Sequence, residues 1–300
     1  MFLTFGICLP ASGADAGERI AVLVGSSEPP FEETLKGFQG YLAKQGVEAE
    51  FDIYRIAGDV SQAEQAIQKI KKSGARVIFT LGSVGAEAAI KKASDIPLIS
   101  CLVLRLDAIR SAPNATGVGL EFPLEVQLHW IQTMLPDAKT IGVIYNPDEN
   151  RKRVEAAERI ARGMGLSLEA QEVHSPQDIP GALNNLSRSA DVLWGLADSL
   201  VLSPQIAKHI LLFSFRNSIP FIGPSATWVK AGALYSLDWD YTDMGAQCGE
   251  MAIKVLRGKL PGDILPATPR KVLYSVNLKT AQQIKITISE QLAKKALNIY

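Results

Sequence analysis

Residues 231–263 constrain the fold of this chain more than any other stretch. A strand-like run from Gly232 to Tyr241 leads into an amphipathic helical pattern that stops at Gly258, and strand pattern then returns from Arg270 to Asn277. The residues before it already contain two complete α/β series, and neither has an internal use for such a late strand-helix-strand excursion. The excursion predicts a chain that crosses back to its first lobe and returns, so that two lobes share three crossings.

The preceding residues supply the two series. Ile20 to Val24 is a short, continuous apolar run ending at Gly25, the pattern of a strand buried on both faces of a parallel sheet. Phe31, Leu35, Phe38 and Leu42 then recur at helical spacing up to Gly46. A strand is expected over Glu50 to Ile56, and a helix over Ser61 to Lys72 with Ser61 as cap and Glu64 completing a capping box. A strand over Arg76 to Leu81, a helix over Val84 to Lys92 and a strand over Ile96 to Val103 follow. After Asn114 to Gly117 the series restarts. Helices are expected over Leu124 to Leu135, Arg151 to Met164 and Pro204 to Phe215, and strands over Thr140 to Tyr145, Leu168 to Val173 and Asp191 to Leu196. Pro220 to Ile222 reads as a further short strand and Ala226 to Lys230 as a short helix.

This order predicts an α/β protein of two doubly wound parallel-sheet lobes joined by a three-segment hinge. The hinge segments are expected near Gly117 to Phe122, Asp238 to Thr242 and Pro266 to Lys271. Lobe 1 would comprise residues 17–119 and 241–268, and lobe 2 residues 120–240 and 269–300. With 300 residues and 47% hydrophobic side chains the chain can bury two cores.

Basic and acidic residues balance at 31 each without a basic cluster, which argues against nucleic acid as a partner. Residues 1–16 read as a secretory signal peptide: an apolar run from Phe2 to Pro10, then small residues ending in Ala14-Asp15-Ala16. The missing basic residue ahead of the run suggests a truncated or misassigned start. The expected location is the periplasm or another extracytoplasmic space. No later stretch reaches the roughly 20 apolar residues that span a bilayer. Cys101 and Cys248 remain after the leader; buried free thiols are the default for them, with a disulfide left open.

In open α/β sheets ligands bind beyond the carboxyl ends of the strands, where helix N-termini offer unpaired N–H groups. That rule selects Ser26 and Ser27 after the first strand, Ser83 after the third, Asn146 after the first strand of lobe 2, and Asp198 with Ser199 after the run from Val192. Each serine could equally be a plain helix cap. Ser83 with the helix behind it suits a carboxylate, Asp198 a ligand ammonium or an internal partner, and Asn146 and Tyr241 would orient the rest. Trp194, Trp228, Trp239 and Tyr241 are weighed as stacking residues, with Trp194 assigned to the core. His129, His174 and His209 lack metal-ligand spacing, no nucleophile elbow or phosphate loop is present, and neither catalysis, a cofactor nor a metal is expected.

Several stretches resemble the substrate-binding proteins of ABC transporters, in the tryptophan/tyrosine-type branch. They are Lys36-Gly37-Phe38, Asn114 to Val118, Leu135 to Pro147, Asp198, Asp240-Tyr241 with Gly245, Lys254 to Gly258, and Asn277-Leu278 with Ala281. The resemblance implies the type I periplasmic-binding-protein fold and capture of a small solute, an amino acid or related small carboxylate, in a cleft between the lobes. It further implies a monomer that delivers this solute to an ABC permease with a cytoplasmic ATPase and meets the membrane only through that permease. A ligand-sensing module of the same fold, signalling to a receptor or kinase, is the alternative. Arg105 leaves an anionic ligand open.

Overall fold

A computed structural model of the chain describes residues 17–104 and 106–300. The signal peptide expected over residues 1–16, and Arg105, lie outside the described residues. Two compact units divide the chain: one ends at Leu120 and resumes over Tyr241–Ala267, and the other comprises Glu121–Asp240 and Thr268–Tyr300.

The first unit runs β1 (Glu18–Val24), α1 (Pro29–Lys44), β2 (Ala49–Arg55), α2 (Val60–Ser73), β3 (Val77–Leu81), α3 (Ser83–Lys92), β4 (Leu98–Val103), α4 (Asp107–Ser111) and β5 (Ala115–Gly119). Its strands form one parallel sheet in the order β2-β1-β3-β4-β5. Residues Ile20 to Val24 are buried, as a strand covered on both faces requires. Alternate side chains serve opposite faces. Ala21, Leu23 and Ile78 pack in the cluster that includes Ala63, Ile67 and Ile70 of α2, while Phe79 of β3 stacks on Phe38 of α1 at 4.0 Å between ring centroids.

The second unit continues with α5 (Leu124–Met134), β6 (Thr140–Tyr145), α6 (Pro147–Gly163), β7 (Ser167–Glu172), α7 (Ile179–Leu186), β8 (Val192–Trp194), α8 (Pro204–Asn217), β9 (Phe221–Ile222), α9 (Ala226–Ala231) and β10 (Tyr235–Trp239). The chain then returns to the first unit as α10 (Tyr241–Leu256), and completes the second with β11 (Val272–Val276), α11 (Leu278–Gln283), α12 (Glu290–Lys295) and β12 (Asn298–Ile299). The second sheet has the order β12-β11-β10-β9-β8-β6-β7 and is parallel except where β11 runs antiparallel to β10. Ile141, Val143 and Tyr145 of β6 pack in the same cluster as Leu128 and Ile131 of α5 and Val154 and Ala157 of α6, while Ile144 packs in another with Leu183 and Ile210.

Helix α10 earns its place by close approach to α1. A Cβ built on Gly245 would lie 2.0 Å from the Thr34 carbonyl oxygen, and one built on Gly37 would lie 2.0 Å from that of Thr242. Only glycine at both positions lets these helices meet backbone to backbone.

Local chemistry departs from the expected elements in several places. Helix α2 is capped by Asp59, whose carboxylate accepts from the Gln62 N–H at 2.8 Å, so Ser61 lies within the helix and is not the cap. Helix α6 begins at Pro147, four residues ahead of the expected Arg151, because Asn146 caps it and proline suits a first helical turn. Of the crossing expected near Gly117 to Phe122, Gly117 to Gly119 belong to β5, and the division between the units falls after Leu120. Helix α7 lies in a stretch left unassigned above; proline is tolerated in its first turn, and Ile179, Ala182, Leu183 and Leu186 bury one face. Among the described residues no helix is long and apolar enough to cross a membrane.

Candidate functional site

The parallel register of the first sheet brings two of the selected loops together. Val24 of β1 stands opposite Leu81 of β3, so Gly25 and Gly82 leave the sheet side by side. The Gly25 N–H donates to the Leu81 carbonyl at 3.0 Å, and the Gly82 N–H to that of Cys101 at 2.9 Å. The Phe31 ring packs against both glycines: a Cβ at either position would lie 3.2 Å from it, and Gly82 has φ +96°, which favours glycine. This packing sets Ser26 and Ser27 beside the start of α3.

Ser83 is the first residue of α3 and not the residue ahead of it; Gly82 holds the cap position and has no side chain with which to cap. The cap residue therefore supplies no side-chain acceptor to the first N–H groups of the helix, at an end that favours negative charge. Ser83 and Ser27 are exposed. The Ser26 hydroxyl accepts from the Glu28 N–H at 3.2 Å, shaping the turn into α1. Tyr241 opens α10 in the same unit and is half-buried.

The selected residues of the second unit also converge, but on each other. Asp198 is only 5% exposed. Its Oδ2 accepts from the Asn146 N–H at 2.7 Å and Asn150 Nδ2 at 2.9 Å, and its Oδ1 from the N–H groups of Leu200 at 3.1 Å and Val201 at 3.0 Å. A carboxylate offers about four lone-pair sites, and these four donors occupy them. The internal partner that a buried charge requires is supplied by the chain itself, so the geometry makes Asp198 a clamp that ties the loop after β8 to the loop after β6. Ser199 is engaged as well: its N–H and hydroxyl both donate to the Glu149 carboxylate. Asn146 uses its Oδ1 to accept from the Asp148 N–H at 3.1 Å, which caps α6.

Asn150 was not among the residues selected from sequence. It adds a bond to the Ala197 carbonyl at 3.1 Å and is buried. The signal was present: the buried stripe of α6 runs Pro147, Asn150, Val154, Ala157 and Ala161, and a lone amide on an apolar stripe needs a polar partner.

The aromatic candidates separate by environment. Trp194 is core, Trp228 tilts against Phe221, and Trp239 stacks on Phe122 with centroids 5.7 Å apart and planes 7° from parallel. Asp238 is buried beside this last pair in sequence, accepting from the Ser236 and Ser275 hydroxyls. Burial holds its carboxyl above the usual carboxylate range, against the lowering effect of those bonds. Among the described residues no group of three His, Cys, Asp or Glu side chains could hold a metal ion.

Residues 19–299 match the family described as ABC transporter substrate binding protein. A tyrosine-binding protein of Clostridioides difficile is 27% identical over 295 residues, covering 89% of this chain and 84% of that one. The fold is shared with an ABC domain from Streptococcus pneumonia solved in complex with L-Trp, at a TM-score of 0.63 and 24% identity over 95% of this chain and 100% of that chain. It is also shared with the ligand-free, open structure of a substrate-binding protein with adhesive properties from Clostridium difficile, at a TM-score of 0.77 and 23% identity over 94% of this chain and 98% of that one. These are binding proteins and not enzymes. With 19–299 covering nearly its whole length, this chain belongs to the ABC transporter substrate-binding proteins, the solute-binding components of ABC transporters.

Proposed function

We propose that the solute is a small molecule with a carboxylate, an amino acid being the favoured class, and that it is captured outside the cytoplasmic membrane for delivery to a permease driven by a cytoplasmic ATPase. The observation that carries the ligand class is the bare start of α3. There a helix N-terminus whose cap residue, Gly82, supplies no side-chain acceptor stands behind the exposed Ser83 hydroxyl, beside Ser26 and Ser27 on the neighbouring strand end. Such an end binds carboxylates through N–H groups and the helix dipole together. The tyrosine-binding relative supports an amino acid over a simple acid.

Asp198 takes a different part from a direct ammonium contact in this reading. It positions Asn146 and Ser199, and Asn146 offers its side-chain amide to the ligand. Binding shifts the population toward the conformation that the permease accepts.

A thermal-shift screen of purified, ligand-stripped protein against amino acids, small carboxylates, sugars and nucleosides tests the proposal. A ligand at a hundredfold excess over its dissociation constant adds about 2.7 kcal/mol of apparent stability. A response to amino acids, abolished when the carboxylate is converted to an amide, is the expected outcome. A flat response to every carboxylate together with a shift from a sugar or nucleoside would overturn the ligand class.

A further inference from the structure

Cys101 and Cys248 lie far apart in sequence and together in the first unit. Cys101 belongs to β4 and Cys248 to α10, and both are fully buried. The Cys248 sulfur stands 3.9 Å from the Ser100 carbonyl oxygen, one residue from Cys101. Helix α10 packs on β4 here, and the Cys101 side chain lies near enough to bear on the Cys248 thiol. The structure holds both as free thiols. Strand β4 is irregular at this point: its register with β5 shifts between Cys101 and Val103, and Leu102 adopts a φ of 56°. The Cys101 carbonyl, in turn, accepts the Gly82 N–H that leads into α3.

We propose that Cys101 and Cys248 form a disulfide when the chain folds in the presence of a disulfide oxidant, joining the strand behind the Gly82 loop covalently to the returning helix. The bond forms by exchange. One cysteine thiolate attacks the oxidant disulfide and releases one of its sulfurs as a thiol. The second cysteine then attacks the mixed disulfide and releases the other, so two protons and two electrons pass from the protein to the oxidant. Burial pushes the Cys248 thiol well above its ordinary range, and its Cys101 neighbour adds to the effect. A thiol kept protonated in an apolar core is a poor nucleophile. Exchange therefore belongs to the folding chain, before α10 closes on β4, and the finished bond is shielded from reductant. It encloses a long loop, the case in which restricting the unfolded chain stabilises most.

The test uses the full chain, unfolded and reduced, then refolded either in a glutathione and glutathione-disulfide buffer or in excess dithiothreitol. Both samples are denatured, alkylated and mapped by mass spectrometry, which keeps Cys8 distinguishable. The expected result is a joined Cys101–Cys248 peptide pair from the glutathione buffer and two alkylated cysteines from dithiothreitol. The joined form should melt about 5 °C or more above the reduced form and should resist dithiothreitol until denaturant is added. In Cys248→Ala the difference in melting temperature should vanish. Protein exported to the periplasm of an expression host gives the same readout without refolding. Two alkylated cysteines, or glutathione carried on each, after folding under oxidising conditions would overturn the proposal, as would a melting difference that persists in Cys248→Ala.

Discussion

The two units handle the same strand ends in opposite ways. In the first, Gly25 and Gly82 pack under Phe31, and the side chains of Ser27 and Ser83 stay exposed. In the second, Asp198 draws four donors from both loops and from α6, and Ser199 is held by Glu149. The first unit can leave its loops bare because its closure is made elsewhere, by the backbone contact of α1 and α10 through Gly37 and Gly245. The second has shorter strands at its centre, with β8 only three residues and β9 two. It uses side-chain bonds to hold what the sheet alone does not. One unit therefore leaves serines exposed at its strand ends, and the other holds its loop in shape with side-chain bonds.

The largest expected effect comes from breaking the closure of the first unit. In Gly245→Val the new side chain begins 2.0 Å from the Thr34 carbonyl oxygen, a backbone atom that cannot step aside without moving α1. A loss of about 4 kcal/mol or outright failure to fold is expected, measured by urea unfolding. A loss under about 1 kcal/mol would show that the helices can part cheaply, and the glycine explanation of the bare loops would fall.

Removing the clamp of the second unit comes next. Asp198→Ala leaves the Asn150 amide and three backbone N–H groups without their acceptor in a buried setting. Unsatisfied buried donors cost about 1–3 kcal/mol each, less where water enters, so a total near 3 kcal/mol is expected. Asp198→Asn should cost less, since its amide oxygen keeps part of the network. If Asp198→Ala unfolds at the same urea concentration as the parent yet abolishes binding of amines, the residue is a ligand contact and the contrast between the units disappears.

How far the sequence announced this arrangement differs between its levels. The α/β order, the buried strands and the late return as α10 follow from hydrophobic period and from glycine placement, which the chain displays openly. The residues at the strand ends were equally legible by position. What side chains do there was not, because Asp198 and Ser83 look alike as polar residues after a strand. Only the parallel register that brings β6 next to β8 shows that Asp198 meets Asn146, and Asn150 was hidden in a helix whose apolar stripe it interrupts. Capping was misread for a related reason: Asp59 and Ser61 are both good caps, and which one serves depends on where the backbone turns.

A gentler test separates the units by pH. Asp238 of the second unit is buried and has its pKa raised above 3.8, chiefly by burial. A folded-state value above the unfolded one means that the native state holds the proton more tightly. The stabilisation is fully present below the unfolded value and is lost as pH rises through the folded one. Asp238→Asn, which imitates the protonated form, should flatten the fall in stability on raising pH from about 4 toward neutrality. Unfolding midpoints of the two proteins across that range check it. Parallel curves would mean that the Ser236 and Ser275 hydroxyls stabilise the charged form as well as the neutral one.

The smallest effect on stability should accompany the clearest effect on binding. Ser83 is exposed and caps nothing with its side chain, so Ser83→Ala should change unfolding free energy by no more than about 0.5 kcal/mol. If its hydroxyl and the N–H groups behind it hold the ligand carboxylate, the same change removes one bond to a charged group, worth about 1.5 kcal/mol or more. That corresponds to an affinity loss of about tenfold, read by calorimetry with the solute found in the thermal screen. Set against Asp198→Ala, the pair separates recognition from support. Ser83→Ala is expected to weaken binding at constant stability, whereas Asp198→Ala should lower both together. Equal affinity in Ser83→Ala and the parent would leave α3 as an ordinary helix start. The ligand would then have to be sought at the shaped loop of the second unit, where Asn146→Ala becomes the decisive variant.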